Sequence, residues 1–187
     1  MDDDGALVQK YLSGDEDAFA TLVNKHVDRV FSFSLRLASD SSFAEDITQQ
    51  TFINAWKHLG TYNTNRRFVT WLLSIAHNVA IDYLRKKRSV PFSQFDTESG
   101  GNVIVETTSD TEPLPDELYA RQELGNELAG ALVQLSTIER EVLTLHYEQE
   151  LTFEEMAEML GKSRNTLKSQ HRRAIEKLRQ VLIAPKS

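Results

Sequence analysis

The stretch LTFEEMAEMLGKSRNTLKSQHRRAIEKLR, residues 151–179, decides how this chain folds. Thr152 followed by Glu155 has the spacing of a capping box, in which each side chain holds the other's backbone N–H at a helix start. Gly161 stands where that helix must end, because glycine turns into the left-handed region without a Cβ clash. Ser163 is placed to cap a second helix that runs to about Leu182. A short helix, a turn containing glycine and a longer basic helix predict a helix-turn-helix. Immediately upstream, LSTIEREVLTLHY (135–147) repeats the capping device with Ser136 and Glu139. The back of the chain is therefore a run of capped helices.

The last helix sorts its residues by chemistry. At about 100° per residue, Leu167, His171, Ala174, Ile175, Leu178 and Leu182 share an inner side. Asn165, Lys168, Ser169, Arg172 and Arg173 share the outer side, and Ser163 and Arg164 lie at the N-terminal end. Arg and Lys can read guanine or hold phosphates, and Asn can read adenine, so this set suits a DNA major groove. A solvated cationic face is the plainer explanation of such a run. The capped helix and glycine turn ahead of it favour the groove. His171 reads as a packed histidine, with no second His three or four residues away.

The front of the chain carries its own basic cluster. IDYLRKKRSVP (81–91) places Arg85, Lys86, Lys87 and Arg88 at the end of a helix beginning at Phe68. Phe68, Leu72, Ile75, Ala76, Val79 and Tyr83 form its inner side. Ser74, Asn78, Asp82 and Arg85 line the other, and Trp71 falls among them. Cations at this position also favour the negative end of the helix dipole. That does not account for Trp71, which is expected to stand exposed. An exposed indole beside an amide can stack an unpaired base while the amide reads its edge, with the cations on the phosphates. A second helix spans residues 44–59. Its apolar side is expected to hold Ala44, Ile47, Thr48, Phe52, Ala55, Trp56 and Leu59. Asp46, Gln49, Gln50 and Ile53 share its polar side, where the stranded isoleucine hints at a protein-binding surface.

The whole chain has 187 residues and a formal net charge of -7, with 21 Lys and Arg against 28 Asp and Glu. The acidity is local. Residues 93–120 carry 7 acidic and no basic side chains, whereas Lys162–Ser187 carries 8 basic residues against Glu176 alone. Two basic patches on an acidic background can bind a polyanion while limiting indiscriminate adhesion. The acidic stretch also holds Gly100-Gly101, Pro113 and Pro115, which makes it a flexible, self-repelling linker; Val103–Val105 within it is the one plausible strand. Of the 16 aromatic residues, 13 precede position 96, so the parts on either side have different cores. The expected architecture is all-α, with two small helical domains (1–92 and 121–187) joined by that linker (93–120).

Several functions are disfavoured. The chain has no Cys, hence no disulfide framework or thiolate metal site. No apolar run approaches the roughly 20 residues of a membrane span, and the acidic MDDDGALVQK start is unlike a signal peptide. The five His are scattered without HExxH spacing, and P-loop, GxSxG and Cys-nucleophile patterns are lacking. No catalytic residue, metal or cofactor is expected, and a soluble protein of a reducing compartment is.

Two blocks of sequence resemble a known family. AEDITQQTFINAW (44–56) followed by FVTWLLSIAHNVAIDYLRKKR (68–88) resembles conserved region two of bacterial sigma factors. LSTIEREVLTLHYEQELTFEEMAEMLGKSRNTLKSQHRRAIEKLR (135–179) resembles their region four. The short linker between them matches the extracytoplasmic-function (ECF) type. The resemblance implies a cytoplasmic bacterial protein that binds core RNA polymerase through the beta-prime coiled coil and the beta flap. It implies beta-prime contacts from Asp46, Gln49, Gln50 and Ile53. It places Trp71, Asn78, Asp82, Arg85, Lys86, Lys87 and Arg88 at the minus-ten element of promoter DNA. Ser163, Arg164, Asn165, Lys168, Ser169, Arg172 and Arg173 go to the minus-thirty-five element. The linker would thread the RNA exit path, and an anti-sigma factor is an implied partner. His77 and Gln170 stand where the family commonly has Arg, and Gln50 where an acid is frequent. The rival is a stand-alone helix-turn-helix regulator that binds duplex DNA without polymerase. It leaves Trp71, Asn78 and Ile53 without a role.

Overall fold

The structure is a computed structural model that describes residues 3–89, 125 and 128–183, with side chains as far as Lys86 in the first stretch. The linker, the Val103–Val105 segment and the Lys87 and Arg88 side chains lie outside the described residues. The described residues form helices joined by short turns, with no strand. The front half contains α1 (Asp3–Leu12), α2 (Asp17–Ala38), α3 (Ser41–His58) and α4 (Phe68–Ser89). The back half has a helical piece at 128–133, then α5 (Thr137–Leu143), α6 (Phe153–Leu160) and α7 (Arg164–Ile183).

Local chemistry sets the helix ends. Ser39 closes α2 in the left-handed conformation at φ 55°. Asp40, next in the chain, caps α3 by accepting from the Phe43 N–H at 3.2 Å. Both capping boxes form as the sequence predicts: Ser136 with Glu139 opens α5, and Thr152 with Glu155 opens α6. Gly161 ends α6 at φ 62°, and the Ser163 Oγ accepts from the Thr166 N–H at 3.1 Å to begin α7. A π-helical turn at Thr144–Glu148, which no local pattern signals, follows α5 directly. It carries the chain into Leu151, whose N–H reaches back to Leu145 O at 2.9 Å.

The front half is built around α4. Its Phe68, Leu72, Leu73, Ala76 and Ala80 are buried against α2 and α3. Thr48 and Thr51 face inward on α3, and each hydroxyl donates to a carbonyl one turn back at 2.7 Å, so neither is left unsatisfied. Helix α1 is fastened to α2 by a buried ionic group. Asp4 accepts from His26 Nε2 at 3.0 Å and pairs with Lys25 at 2.6 Å. Burial pushes the His26 pKa down against the attraction of Asp4, while the Asp4 hydrogen bond raises that of Lys25.

The two halves pack against each other. Val142, Leu145, Leu151, Met156 and Leu167 of the back half belong to one continuous apolar core with the front helices. Around that core the two halves exchange ion pairs. Arg36 meets Glu148 at 2.9 Å, Arg67 meets Glu155 at 3.2 Å and Arg66 meets Glu158 at 3.5 Å. The His77 ring is hydrogen-bonded to the buried Glu141, and Arg140 donates to the Ser39 hydroxyl.

Candidate nucleic-acid and polymerase interfaces

Three surfaces emerge from this packing. The first is the outer side of α7. Leu167 and Ala174 are fully buried, and His171, Ile175 and Leu178 are half-buried beside them. Leu182 is exposed, because the helix outruns the core that it packs on. The opposite side is polar and accessible: Ser163, Arg164, Asn165, Lys168, Ser169, Arg172 and Arg173 are all exposed. Arg164 pairs with Glu154 of α6 at 2.7 Å, and Arg172 lies 3.9 Å from Glu176. Both pairs are solvent-exposed, where such contacts are worth about 1 kcal/mol or less and yield readily to a polyanion. His171 is packed as the sequence suggests, but in histidine company. The His146 ring lies 5.2 Å away, the Tyr147 hydroxyl is 3.1 Å from His171 Nε2, and Phe153 stands edge-on. Burial, and then the neighbouring His146, lower the His171 pKa.

The second surface is the polar face of α4. Asn78, Asp82, Arg85 and Lys86 are exposed, and Arg85 donates to Asp82 at 2.8 Å. Trp71 departs from expectation. Its indole is half-buried rather than exposed, with its centroid 5.4 Å from Tyr62 and 5.5 Å from Phe68. The reason is the connection between α3 and α4. It folds Tyr62 over the first turn of α4 and fixes it through the Tyr62 hydroxyl to the Arg66 carbonyl. A helical wheel of α4 alone does not contain that ring.

The third surface is an apolar groove between α2 and α3, with a volume of about 730 Å³. Phe19, Val23, Val27 and Phe31 form one wall, and Phe52, Ile53 and Trp56 form the other. Asp28, Glu45 and Gln49 supply polar groups around it. Of the expected polymerase contacts, Gln49 and Ile53 line the groove. Asp46 is exposed on the same helix, and Gln50 is half-buried, donating to Asn54 Oδ1 at 2.9 Å. Trp56 was expected inside; it is instead 51 % exposed, with its Nε1–H donating to the Tyr11 hydroxyl at 2.5 Å. Helix α3 lies between α2 and α4, so its buried stripe is centred on Ala44, Ile47, Thr51 and Ala55, and Trp56 is rotated out. The far wall was missed, although its signal is in the sequence. Helix α2 carries a core stripe (Ala18, Leu22, Val30, Phe33, Leu37) and a second stripe at 19, 23, 27 and 31. A helix with one neighbour needs only one.

Among the described residues no group of three or more His, Cys, Asp and Glu could hold a metal ion, and no helix is long and apolar enough to cross a membrane.

Comparison with known proteins adds a consistent picture. The family model "Sigma-70 region 2" matches residues 22–90, and "Sigma-70, region 4" matches residues 131–180. The chain is 33% identical to the ECF RNA polymerase sigma factor SigW of Bacillus subtilis over 94% of both chains. It is 32% identical to the RNA polymerase sigma factor CarQ of Myxococcus xanthus, over 94% of this chain and 95% of CarQ. Among solved structures, CnrH in complex with the cytosolic domain of CnrY matches with a TM-score of 0.67 at 25% identity, covering 98% of this chain and 99% of that one. The sigma factor RpoE of Bartonella quintana, crystallised with the anti-sigma factor NepR, shares the fold at a TM-score of 0.70 and 23% identity, over 90% of this chain and 98% of that one.

Proposed function

The chain belongs to the ECF sigma factors of bacterial RNA polymerase, and we propose that its three surfaces divide the work of promoter engagement among themselves. As a sigma factor it binds core RNA polymerase and directs promoter recognition in transcription initiation. In this division, α7 lies in the major groove of the upstream element. Lys168 and Arg172 are the central readers, Asn165, Ser169 and Arg173 flank them, and Ser163 and Arg164 hold phosphates at the helix start. The observation that carries this assignment is the exposure of that whole row on a helix whose other side is buried.

The polar face of α4 receives the melted strand of the downstream element. Asn78 reads a base edge, and Asp82 orients Arg85 by the ion pair that it makes with it. Arg85 and Lys86 meet phosphates, and Lys87 and Arg88 extend the basic run beyond the described side chains. Trp71 takes part through the part of its indole that the Tyr62–Phe68 cluster leaves open. The α2–α3 groove accepts a helical element of core polymerase, the beta-prime coiled coil. Ile53 and Trp56 are its apolar anchors, and Asp46, Gln49 and Gln50 its polar contacts. Hot spots at interfaces favour aromatic anchors seated in an apolar pocket in this way. The segment 93–120 joins the two promoter-binding domains, 1–92 and 121–187. The protein acts in the bacterial cytoplasm, and its own part is binding; polymerase makes the phosphodiester bonds. An anti-sigma factor is a partner in this reading, supported by the complexes in which CnrH and RpoE were solved.

Transcription with purified core polymerase on a genomic fragment library tests the reading. Start sites that appear only when this chain is added, sharing an upstream and a downstream element, are expected. Duplex binding without polymerase association would favour the stand-alone regulator instead.

A further inference from the structure

Tyr11 does not line the groove between α2 and α3, yet it touches two residues that do. Its ring centroid lies 5.5 Å from that of Phe19, and its hydroxyl accepts the Trp56 Nε1–H at 2.5 Å. That bond joins the last turn of α1 to the last turn of α3. Tyr11 itself is firmly placed. Upstream, Val8 is buried, and Asp4 ties α1 to Lys25 and His26 of α2. Downstream, the chain turns at once through Gly14, at φ 105°, whose N–H donates to the Tyr11 carbonyl at 2.9 Å. Residues with a side chain seldom adopt that angle. The hydroxyl therefore reaches Trp56 from a fixed scaffold.

An indole N–H can only donate, so it needs an acceptor wherever water is excluded. In the free chain Trp56 is 51% exposed, and water can replace the Tyr11 hydroxyl at no great cost. A helix seated in the groove removes that water and leaves the hydroxyl as the acceptor already in place. The same bond restrains the indole, which reduces the side-chain freedom lost when a partner binds. We propose that Tyr11 is a positioning residue of the polymerase-binding groove, holding the Trp56 indole and supplying the acceptor that its N–H needs once the groove is filled. The proposal rests on the reading of the groove as the beta-prime site, and adds to it a residue of α1. It carries an asymmetry: the hydroxyl matters little to the free chain and much to the complex.

The test compares Trp56→Ala, Tyr11→Phe, Trp56→Phe and the double variant Y11F/W56F, each in the full chain. Affinity for purified core polymerase is measured by competition with dye-labelled wild type, and thermal unfolding by circular dichroism. Trp56→Ala should weaken binding, as loss of an anchor does. Tyr11→Phe keeps the ring that packs on Phe19 and should weaken binding about tenfold, the scale of one buried donor left without an acceptor. Its melting temperature should match wild type. With Trp56→Phe already in place there is no N–H to satisfy, so adding Tyr11→Phe should change affinity no further. Three outcomes overturn the proposal: wild-type affinity in Tyr11→Phe, the same loss from Tyr11→Phe with and without the Trp56 N–H, or a loss of affinity matched by a fall in melting temperature. If Trp56→Ala weakens binding while Tyr11→Phe gives any of these, the groove reading stands and the positioning role alone is refuted. If Trp56→Ala binds core polymerase as well as wild type, the groove reading fails and the proposal falls with it.

Discussion

Helix α7 offers its polar face outright, whereas the corresponding face of α4 is shared with the other half of the chain. In α7 the buried side is narrow, Leu167 and Ala174 at its centre, and everything opposite is accessible. In α4 a tryptophan turns into an aromatic cluster, and the N-terminal arginines are held by carboxylates from 88 and 92 residues further on. A helix packed on one side only, against α5 and α6, keeps the opposite surface as its own sequence dictates. A central helix with neighbours on several sides does not.

The largest expected effect tests whether the two faces stand on one core. Leu167→Ala removes a fully buried side chain and should cost about 2–5 kcal/mol of stability. The apolar core crosses between the halves, so a single thermal transition followed by circular dichroism should move as a whole. A front half that melts unchanged would mean that the halves fold separately.

Next in size is the upstream face. Lys168→Ala or Arg172→Ala should weaken binding of the upstream duplex by about 1–3 kcal/mol where the side chain reads a base. The melting temperature should hold, because both residues are exposed. An unchanged footprint would count against the assignment of that face.

The downstream face should answer differently at its two central positions. Asn78→Ala should impair strand opening, followed with a fluorescent base in the melted region, and leave stability intact. Trp71→Ala should impair opening and also lower stability by about 1 kcal/mol, the scale of the aromatic pairs that it breaks with Tyr62 and Phe68. Equal stability in both variants would place the indole outside that cluster in solution.

The caps come last. Thr152→Ala should cost about 1 kcal/mol in urea unfolding. The same boxes give the back half a pH dependence. The Ser136 N–H holds the Glu139 carboxyl below its ordinary pKa. Burial opposes the same effect at Glu155, but the Thr152 N–H and hydroxyl prevail. A carboxyl with a lowered folded pKa contributes its full stabilisation above the ordinary carboxylate range and loses it as pH falls through the folded value. Wild type should therefore lose more of its urea midpoint between neutral and acid pH than E139Q/E155Q does. Parallel losses would remove the boxes from the account.

Much of this molecule is written locally. The capping boxes, Gly161, Ser163 and the division of α7 into an apolar and a basic side follow from residues within one or two turns of each other. Backbone hydrogen-bond supply and the 3.6-residue period act over that distance. The second apolar stripe of α2, at 19, 23, 27 and 31, was equally legible but needed the question of what a second stripe is for. Other features depend on residues far apart in the chain. Trp56 and Trp71 are the clearest cases. The wheel put the first inside and the second outside, and the structure reverses the emphasis, because α3 has two neighbours and Tyr62 folds onto α4. The meeting of Glu141, Glu148, Glu155 and Glu158 with the bases of the front half lies further still from local reading. A charge pattern along the chain states how many carboxylates there are; only packing decides which cations they face. The sequence by itself determined the helices, their caps and the basic row of α7, since these rest on short-range geometry. The tertiary structure alone decided which aromatic is offered to solvent and which arginines are occupied, since burial and ion pairing depend on what lies across the core.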